Sequence, residues 1–412
     1  MPEKVVITGM GTVNPLGLSV DESWQNALAG KSGIGPINLF DASDYLVNLA
    51  GEVKGFDPCQ YMLEKEARRS DRHQQMASAA SQEAIRQAGL EVIEAQRSRV
   101  GVIVSSAIGG LKAVADNIEI LLNKGPRRIS PFVIPMLMAN GAAGLIAIDN
   151  HFQGPSFSIV SACASGADAI GMARMMINSG LIDVAITGGS DTTVTEIAVA
   201  AFDRLGALSR RDRDYGKAPQ PFDLNRDGFV IGEGAGILVL EKESWATDRG
   251  ANILAELAGY GSSADAFHIT APSEDGMGGA NAVRIALEDA ELNAEDIGYI
   301  SAHGTATQLN DVSETRAIKA AYGSHAYKVP ISSTKSMTGH IMGATGALEA
   351  IFCALAVRNN VLPPTINYET PDPECDLDYI PNEARQASII SAASNAFGFG
   401  GHNAVLVVKE YS

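Results

Sequence analysis

Cysteine is scarce in this chain, and so are long apolar runs. The four cysteines, Cys59, Cys163, Cys353 and Cys375, lie far apart and match no C-x-x-C spacing. That pattern suggests neither a disulfide framework nor a zinc site, so any cysteine with a special role acts alone. No stretch approaches the roughly 18 consecutive apolar residues that a membrane span needs. The opening MPEKVVITGMG passes directly into a strand pattern, without the apolar core and cleavage site of a signal peptide. These features predict a soluble, cytoplasmic protein. Positive charge is also in deficit: 31 basic against 48 acidic residues give a net charge of −17. A field of that sign argues against a nucleic-acid backbone or an anionic membrane as the main partner.

What is present is enough apolar material, 46% of 412 residues, for a large core of two or three domains by length alone. Short β-branched runs alternate with longer helical stretches, the pattern of an α/β protein with a mostly parallel, helix-covered sheet. Strand candidates in the first half include 5–8, 102–104, 157–160, 184–187 and 237–240. In the second half they include 253–257, 299–301, 329–332, 389–391 and 404–408. The third strand of each half leads into an apolar helix rich in glycine and alanine, CASGADAIGMARMMI from Cys163 and HIMGATGALEAIFCALAV from His340. Neither has a polar face, so both read as central helices of an internally duplicated fold. Long insertions at 41–72 and 108–132 fall where specificity usually resides.

Cys163 follows a strand and opens a helix. The free N–H groups of a helix N-terminus stabilise a thiolate and depress the thiol pKa, so this lone cysteine reads as a nucleophile. His303, in SAHGTATQLND, and His340, in STKSMTGHIMGATG, also follow strands, at the carboxyl ends where α/β sheets place their sites. Lys335 sits among small uncharged residues and needs a carboxylate partner if buried, with Glu314 the candidate. The terminal SNAFGFGGHN reads as a glycine-rich turn that brings backbone N–H groups to a ligand.

Together SACASG, AHGTAT, KSMTGH with GATGALE, and NAFGFGGHN resemble the β-ketoacyl-acyl-carrier-protein synthases, in particular the type II elongating (FabF-type) branch. The resemblance runs from the first strand to the last. It implies a thiolase-like fold of two duplicated βαβαβαββ halves, over 1–252 and 253–412, in a five-layer αβαβα core, and a homodimer. It further implies Cys163 as acyl-accepting nucleophile and His303 and His340 as donors to the malonyl thioester carbonyl. The backbone N–H groups of Cys163 and Phe399 would form an oxyanion hole, with Phe399 also the gate, and Lys335 would orient the site through Glu314. Thr305, Thr307 and Thr270 would contact pantetheine, and Ile108 would line the acyl pocket. The acidic carrier protein would dock on Lys65, Arg68, Arg69, Arg127 and Arg128, positive points on an otherwise repulsive surface. No cofactor is implied beyond the pantetheine that the carrier protein brings.

Some positions depart from the family pattern. The common GFGGTN ends here as GFGGHN, with His402. Ser301 replaces an asparagine near a structural monovalent cation, and with only Glu349, Ser394 and Asn395 left the departure counts against that ion, so no metal is expected. Gln308 stands for a frequent proline, and Asp191 for a frequent glutamate. The alternatives are a ketosynthase subunit of a type II polyketide or polyene pathway, paired with a chain-length partner, and a noncatalytic carrier-binding scaffold. A thiolase would need a second cysteine in the glycine-rich terminal turn, and Cys375 is not there.

Overall fold

The computed structural model describes residues 3–211 and 215–412. Ten strands form one mixed sheet: β1 Val5–Val13, β2 Val100–Ser105, β3 Ser156–Phe157, β4 Val184–Thr192, β5 Glu233–Lys242, β6 Ala255–Ala264, β7 Tyr299–Ser301, β8 Ile331–Ser332, β9 Ser391–Gly398 and β10 His402–Lys409. Their order across the sheet is β8-β7-β9-β10-β6-β1-β5-β4-β2-β3. Counted from the centre, each half therefore repeats the same sequence of strands, and the halves meet where β1 pairs with β6 through Val6 and Glu256. This is the duplication that the two apolar helices suggested.

The sheet is less parallel than expected. β2 pairs parallel with β3 and β4, and β7 with β8 and β9, but β1, β5, β6 and β10 run antiparallel to their neighbours. The reason is local in the second half: β9 and β10 are joined by three residues, and so short a connection makes only an antiparallel hairpin. The 394–403 segment, read as a turn, is mostly strand, with the turn confined to Phe399–Gly401. Flanking strands on both sides of β9 supply backbone partners that composition does not reveal. Conversely β3 stops at Phe157, because the Ile159 N–H turns away to the Ser105 hydroxyl.

The longer helices complete the layers: α1 Arg72–Ala88, α2 Leu111–Lys124, α3 Gly141–Asn150, α4 Ser165–Asn178, α5 Met277–Asp289, α6 Gln308–Tyr322 and α7 Thr345–Asn359. α1 and α3 cover the first half-sheet and α5 the second, backed by α6, while α4 and α7 lie between the halves. Every residue of β1 is buried, as a central strand covered on both faces requires. α7 is buried from Thr345 to Val357, which explains why it lacks a polar stripe. Among the described residues no helix is long and apolar enough to cross a membrane.

Close packing rests on glycine at a few contacts. A Cβ on Gly11 of β1 would lie 1.9 Å from the Ala80 carbonyl oxygen of α1. Replacing Gly11 with alanine therefore forces strand and helix apart, and the urea-unfolding free energy should fall by about 1–3 kcal/mol. An unchanged unfolding midpoint would show that this contact is slack.

Candidate active site

The chain reaches the cysteine through a strained turn. Ala162 adopts φ +53°, and Ser165 braces the turn by accepting from the Ser161 N–H and donating to the Ala162 carbonyl. A left-handed alanine is costly and persists where its surroundings enforce it. Cys163 thus sits in the 3₁₀ turn Ala162–Ala164 that opens α4. Gly398 presses against it, for a Cβ there would lie 3.0 Å from the Cys163 nitrogen.

His340 enters from the other half, ahead of α7. Its Nε2 lies 3.1 Å from Cys163 Sγ and its Nδ1 is 3.1 Å from Thr345 Oγ1. The His303 ring stands edge-on to it, with centroids 5.3 Å apart, and Phe229 packs against His340 on another side, at 5.4 Å. The sulfur and one nitrogen of each histidine lie within 4.8 Å of one another. All three residues line a cavity of about 700 Å³, walled mainly by apolar groups that include Ile108, Phe202, Phe229, Met342 and Phe399.

Thr305, Thr307 and Thr270 line the same cavity. The first two are hydrogen-bonded to each other at 3.0 Å, and Thr307 also caps α6. The structure therefore gathers Cys163, His303, His340, Phe399, Ile108 and the three threonines into one space. Glu314 and Lys335 lie behind it. The Glu314 carboxylate accepts from the backbone N–H groups of His303 and Gly304, both at 2.7 Å, and from Asn395 Nδ2 at 3.1 Å. It holds the His303 turn directly.

One pairing differs from expectation. Lys335 Nζ, fully buried, bonds Glu349 Oε1 at 2.6 Å rather than Glu314. The carboxylate of Glu314 is already committed to backbone donors, whereas Glu349 projects from α7 toward the lysine, a meeting of elements that sequence spacing does not reveal. Thr345 and Phe229 also belong to the site, although nothing in their local sequence pattern marks them.

The electrostatics also depart from expectation. Burial pushes the Cys163 thiol up to about 11, outweighing the Phe399 backbone N–H, the Lys335 charge and Cys163's own N–H, all of which favour the thiolate. Desolvation thus overrides the helix N-terminus. Burial, with Lys335 nearby, likewise holds His303 and His340 well below the usual imidazole range, and the neighbouring His340 depresses His303 further. The resting site is a thiol beside two neutral imidazoles.

The five docking candidates, Lys65, Arg68, Arg69, Arg127 and Arg128, are all exposed, and none lines the cavity. Arg69 stacks 4.6 Å above the Phe132 ring, which brings the two basic segments onto one surface. The sequence also carries a basic run at 210–213, in which Arg210 pairs with Asp203 and Arg211 with Asp227, while Arg213 lies outside the described residues.

Near the second half-sheet, Ser301 Oγ, Glu349 Oε2, Ser394 Oγ and Asn395 Oδ1 are buried with no hydrogen-bond partner. Ser301 and Ser394 are register partners across β7 and β9. Unpaired buried oxygens of this kind are costly, and oxygen-only donors fit a hard cation.

The fold and this site define a ketosynthase: the chain belongs to the beta-ketoacyl synthase family, whose N-terminal domain model matches residues 2–246 and C-terminal domain model residues 254–369. Within that family it is 49% identical over 409 residues to a 3-oxoacyl-[acyl-carrier-protein] synthase 2 of Synechocystis, covering 99% of this chain and 98% of the relative. Among solved structures, the ishigamide ketosynthase/chain length factor superposes with TM-score 0.93 at 38% identity, covering all of both chains. A type II polyketide ketosynthase, AntDE, bound to its acyl-carrier protein AntF, superposes with TM-score 0.90 at 36% identity, again over both full chains. The chain is a condensing acyltransferase of this family.

Two outcomes follow from the electrostatics. Alkylation of Cys163 by iodoacetamide, followed by peptide mapping to separate it from exposed Cys59, should accelerate about tenfold per pH unit between pH 7 and 9. A plateau below pH 7 would reveal a thiolate instead. Burial raises Glu349 from 4.5 to about 7 even though Lys335 lowers it. Its contribution to stability is therefore full below pH 4.5 and lost as pH rises through 7. Lys335→Ala raises that carboxyl further and strands its charge, so it should cost about 3–5 kcal/mol at about pH 8.5 and clearly less at about pH 5, where Glu349 is protonated. Equal losses at both pH values in urea titrations would contradict this account.

Proposed function

We propose that this chain extends acyl chains by two carbons on Cys163, with malonyl thioester as the donor. The observation that carries the reading is the placement of Cys163 Sγ 3.1 Å from His340 Nε2, with His303 beside them, at the end of an apolar cavity. In the first half-reaction the thiol proton passes to His340 Nε2 as sulfur attacks the incoming thioester carbonyl. The pantetheine thiol then leaves, taking a proton. The N–H groups of Cys163 and Phe399 stabilise the tetrahedral oxyanion.

Malonyl thioester then enters, with Thr305, Thr307 and Thr270 contacting its pantetheine arm. Loss of carbon dioxide leaves an enolate, whose oxygen accepts from the Nε2–H groups of His303 and His340. The enolate carbon attacks the Cys163 thioester carbonyl and expels the sulfur as thiolate, which takes up one proton from solvent to restore the thiol, and the 3-oxoacyl product forms. One preorganised donor of this type is typically worth roughly 3–4 kcal/mol. Neutral imidazoles suit this step, because a neutral ring donates one hydrogen without leaving a buried positive charge. Thr345 lets His340 serve both steps: its hydroxyl donates to Nδ1 when Nε2 carries the proton, and accepts from Nδ1–H when Nε2 must take one. Phe399 acts as the gate, Glu314 as the support of the His303 turn, and Lys335, held by Glu349, adds its charge to the burial that keeps both histidines neutral.

The 49% identity to a 3-oxoacyl-[acyl-carrier-protein] synthase 2, against 36% for the type II polyketide ketosynthase structure, favours fatty-acid elongation over the polyketide or polyene alternative. The intact cysteine and paired histidines weigh against a noncatalytic scaffold. Acyl carrier protein docks on Lys65, Arg68, Arg69, Arg127 and Arg128, a reading supported by their exposure on one basic surface. A homodimer is supported by the open edge of β3 and the exposed apolar side chains of Ile134, Met138, Ile148 and Val160. The orphaned oxygens of Ser301, Glu349, Ser394 and Asn395 would hold a structural monovalent cation, which would neutralise the second oxygen of Glu349.

The test is intact-protein mass spectrometry after exposure to a panel of acyl-carrier-protein thioesters, followed by malonyl-acyl-carrier protein. Saturated chains should load on Cys163 and emerge two carbons longer, and Cys163→Ala should neither load nor condense. Product from that variant would sink the assignment. Loading confined to polyketide intermediates, or dependent on a second subunit, would favour the polyketide pathway.

A further inference from the structure

The acyl end of the cavity is held by one carboxylate that touches no part of the reaction. Asp191, fully buried near the end of β4, accepts from the Ser106 hydroxyl at 2.5 Å through Oδ1. Its Oδ2 accepts from the Ala107 N–H at 2.9 Å and from the Gly343 N–H at 2.7 Å. Ser106 Oγ in turn accepts from the Gly109 N–H at 2.8 Å. The residues inside these clamps, Ala107, Ile108 and Met342, are cavity wall.

Two further features say that the walls need holding. Met342 adopts φ +44°, a left-handed conformation that an L side chain rarely takes unaided. The approach of the two segments is close enough that a Cβ on Gly343 would lie 2.7 Å from both the Ala107 nitrogen and Asp191 Oδ2. One wall comes from the turn after β2 and the other from the entrance to α7, in opposite halves of the chain. Among the described residues, no other side chain accepts from both.

We propose that Asp191 is a specificity-determining positioning residue, which fixes the depth of the acyl chamber by tying the Ser106–Gly109 turn and the Met342–Gly343 segment to a single carboxylate. The proposal deepens the condensing reading and rests on it. A chain that fits is accepted because neither wall yields; with the tie cut, Ile108 and Met342 move independently and chains of unlike length are accepted more equally.

Asp191→Ala removes both carboxylate oxygens, so the Ala107 and Gly343 N–H groups lose the acceptor they share. The measurement is kcat/KM for a series of saturated acyl-carrier-protein substrates, expressed as the ratio of the most to the least preferred length. That ratio should fall at least about tenfold in Asp191→Ala. It should fall in the same direction, but less, in Ser106→Ala, which keeps the carboxylate and decides the matter alone if the first variant does not fold. The Asp191 charge also disfavours the Cys163 thiolate, but that effect is common to every chain length and cancels in the ratio. A ratio unchanged within about twofold, an equal loss at all lengths, or a wild-type enzyme with no length preference would overturn the proposal. Failure of the wild-type protein to load any acyl chain would instead overturn the condensing reading itself.

Discussion

Everything in this molecule hangs on two apolar helices lying against each other between two half-sheets. A Cβ on Gly166 of α4 would lie 2.5 Å from the Gly343 carbonyl oxygen, and one on Gly346 of α7 would lie 3.0 Å from the Ala167 Cβ. Larger side chains at those places would separate the helices. Because Cys163 opens one helix and His340 precedes the other, separation would pull sulfur and imidazole apart. The duplication therefore has a chemical consequence, since it brings the same point of two repeats together with a different reactive group at each.

Burial at that meeting point has an electrostatic consequence. Burial raises the Cys163 thiol and lowers both imidazoles, while Lys335 with Glu349, and Glu314 on backbone donors, lie behind the cavity. Such pairs contribute little net stability, but breaking one is expensive. Their value lies in the field they impose and in the geometry they hold. The Glu314 carboxylate fixes the His303 turn, and Asp191 fixes two walls of the chamber. In each case one buried acceptor gathers backbone N–H groups that would otherwise be unsatisfied.

Much of this was legible in order along the chain. The α/β class, the duplication, the approximate strands and the choice of Cys163, His303 and His340 as candidates follow from local pattern: apolar runs, a cysteine at a helix entrance, histidines after strands, and four separated motifs. The lining residues Ile108, Thr270, Thr305, Thr307 and Phe399 were named from the motifs that the chain shares with its family. Where local pattern failed, as at β9, a stretch of small residues became a strand because neighbours on both sides supplied hydrogen bonds.

Which residues the site gathers, and that an α/β framework holds them, could be read directly from the chain, because propensity, periodicity and motif are properties of neighbours in sequence. Folding alone settled that Lys335 answers to Glu349, that burial outweighs the helix entrance and raises the Cys163 thiol, and that Asp191 joins two walls. Those outcomes depend on desolvation and on contacts between residues far apart in sequence, quantities that exist only once the two halves have closed on each other.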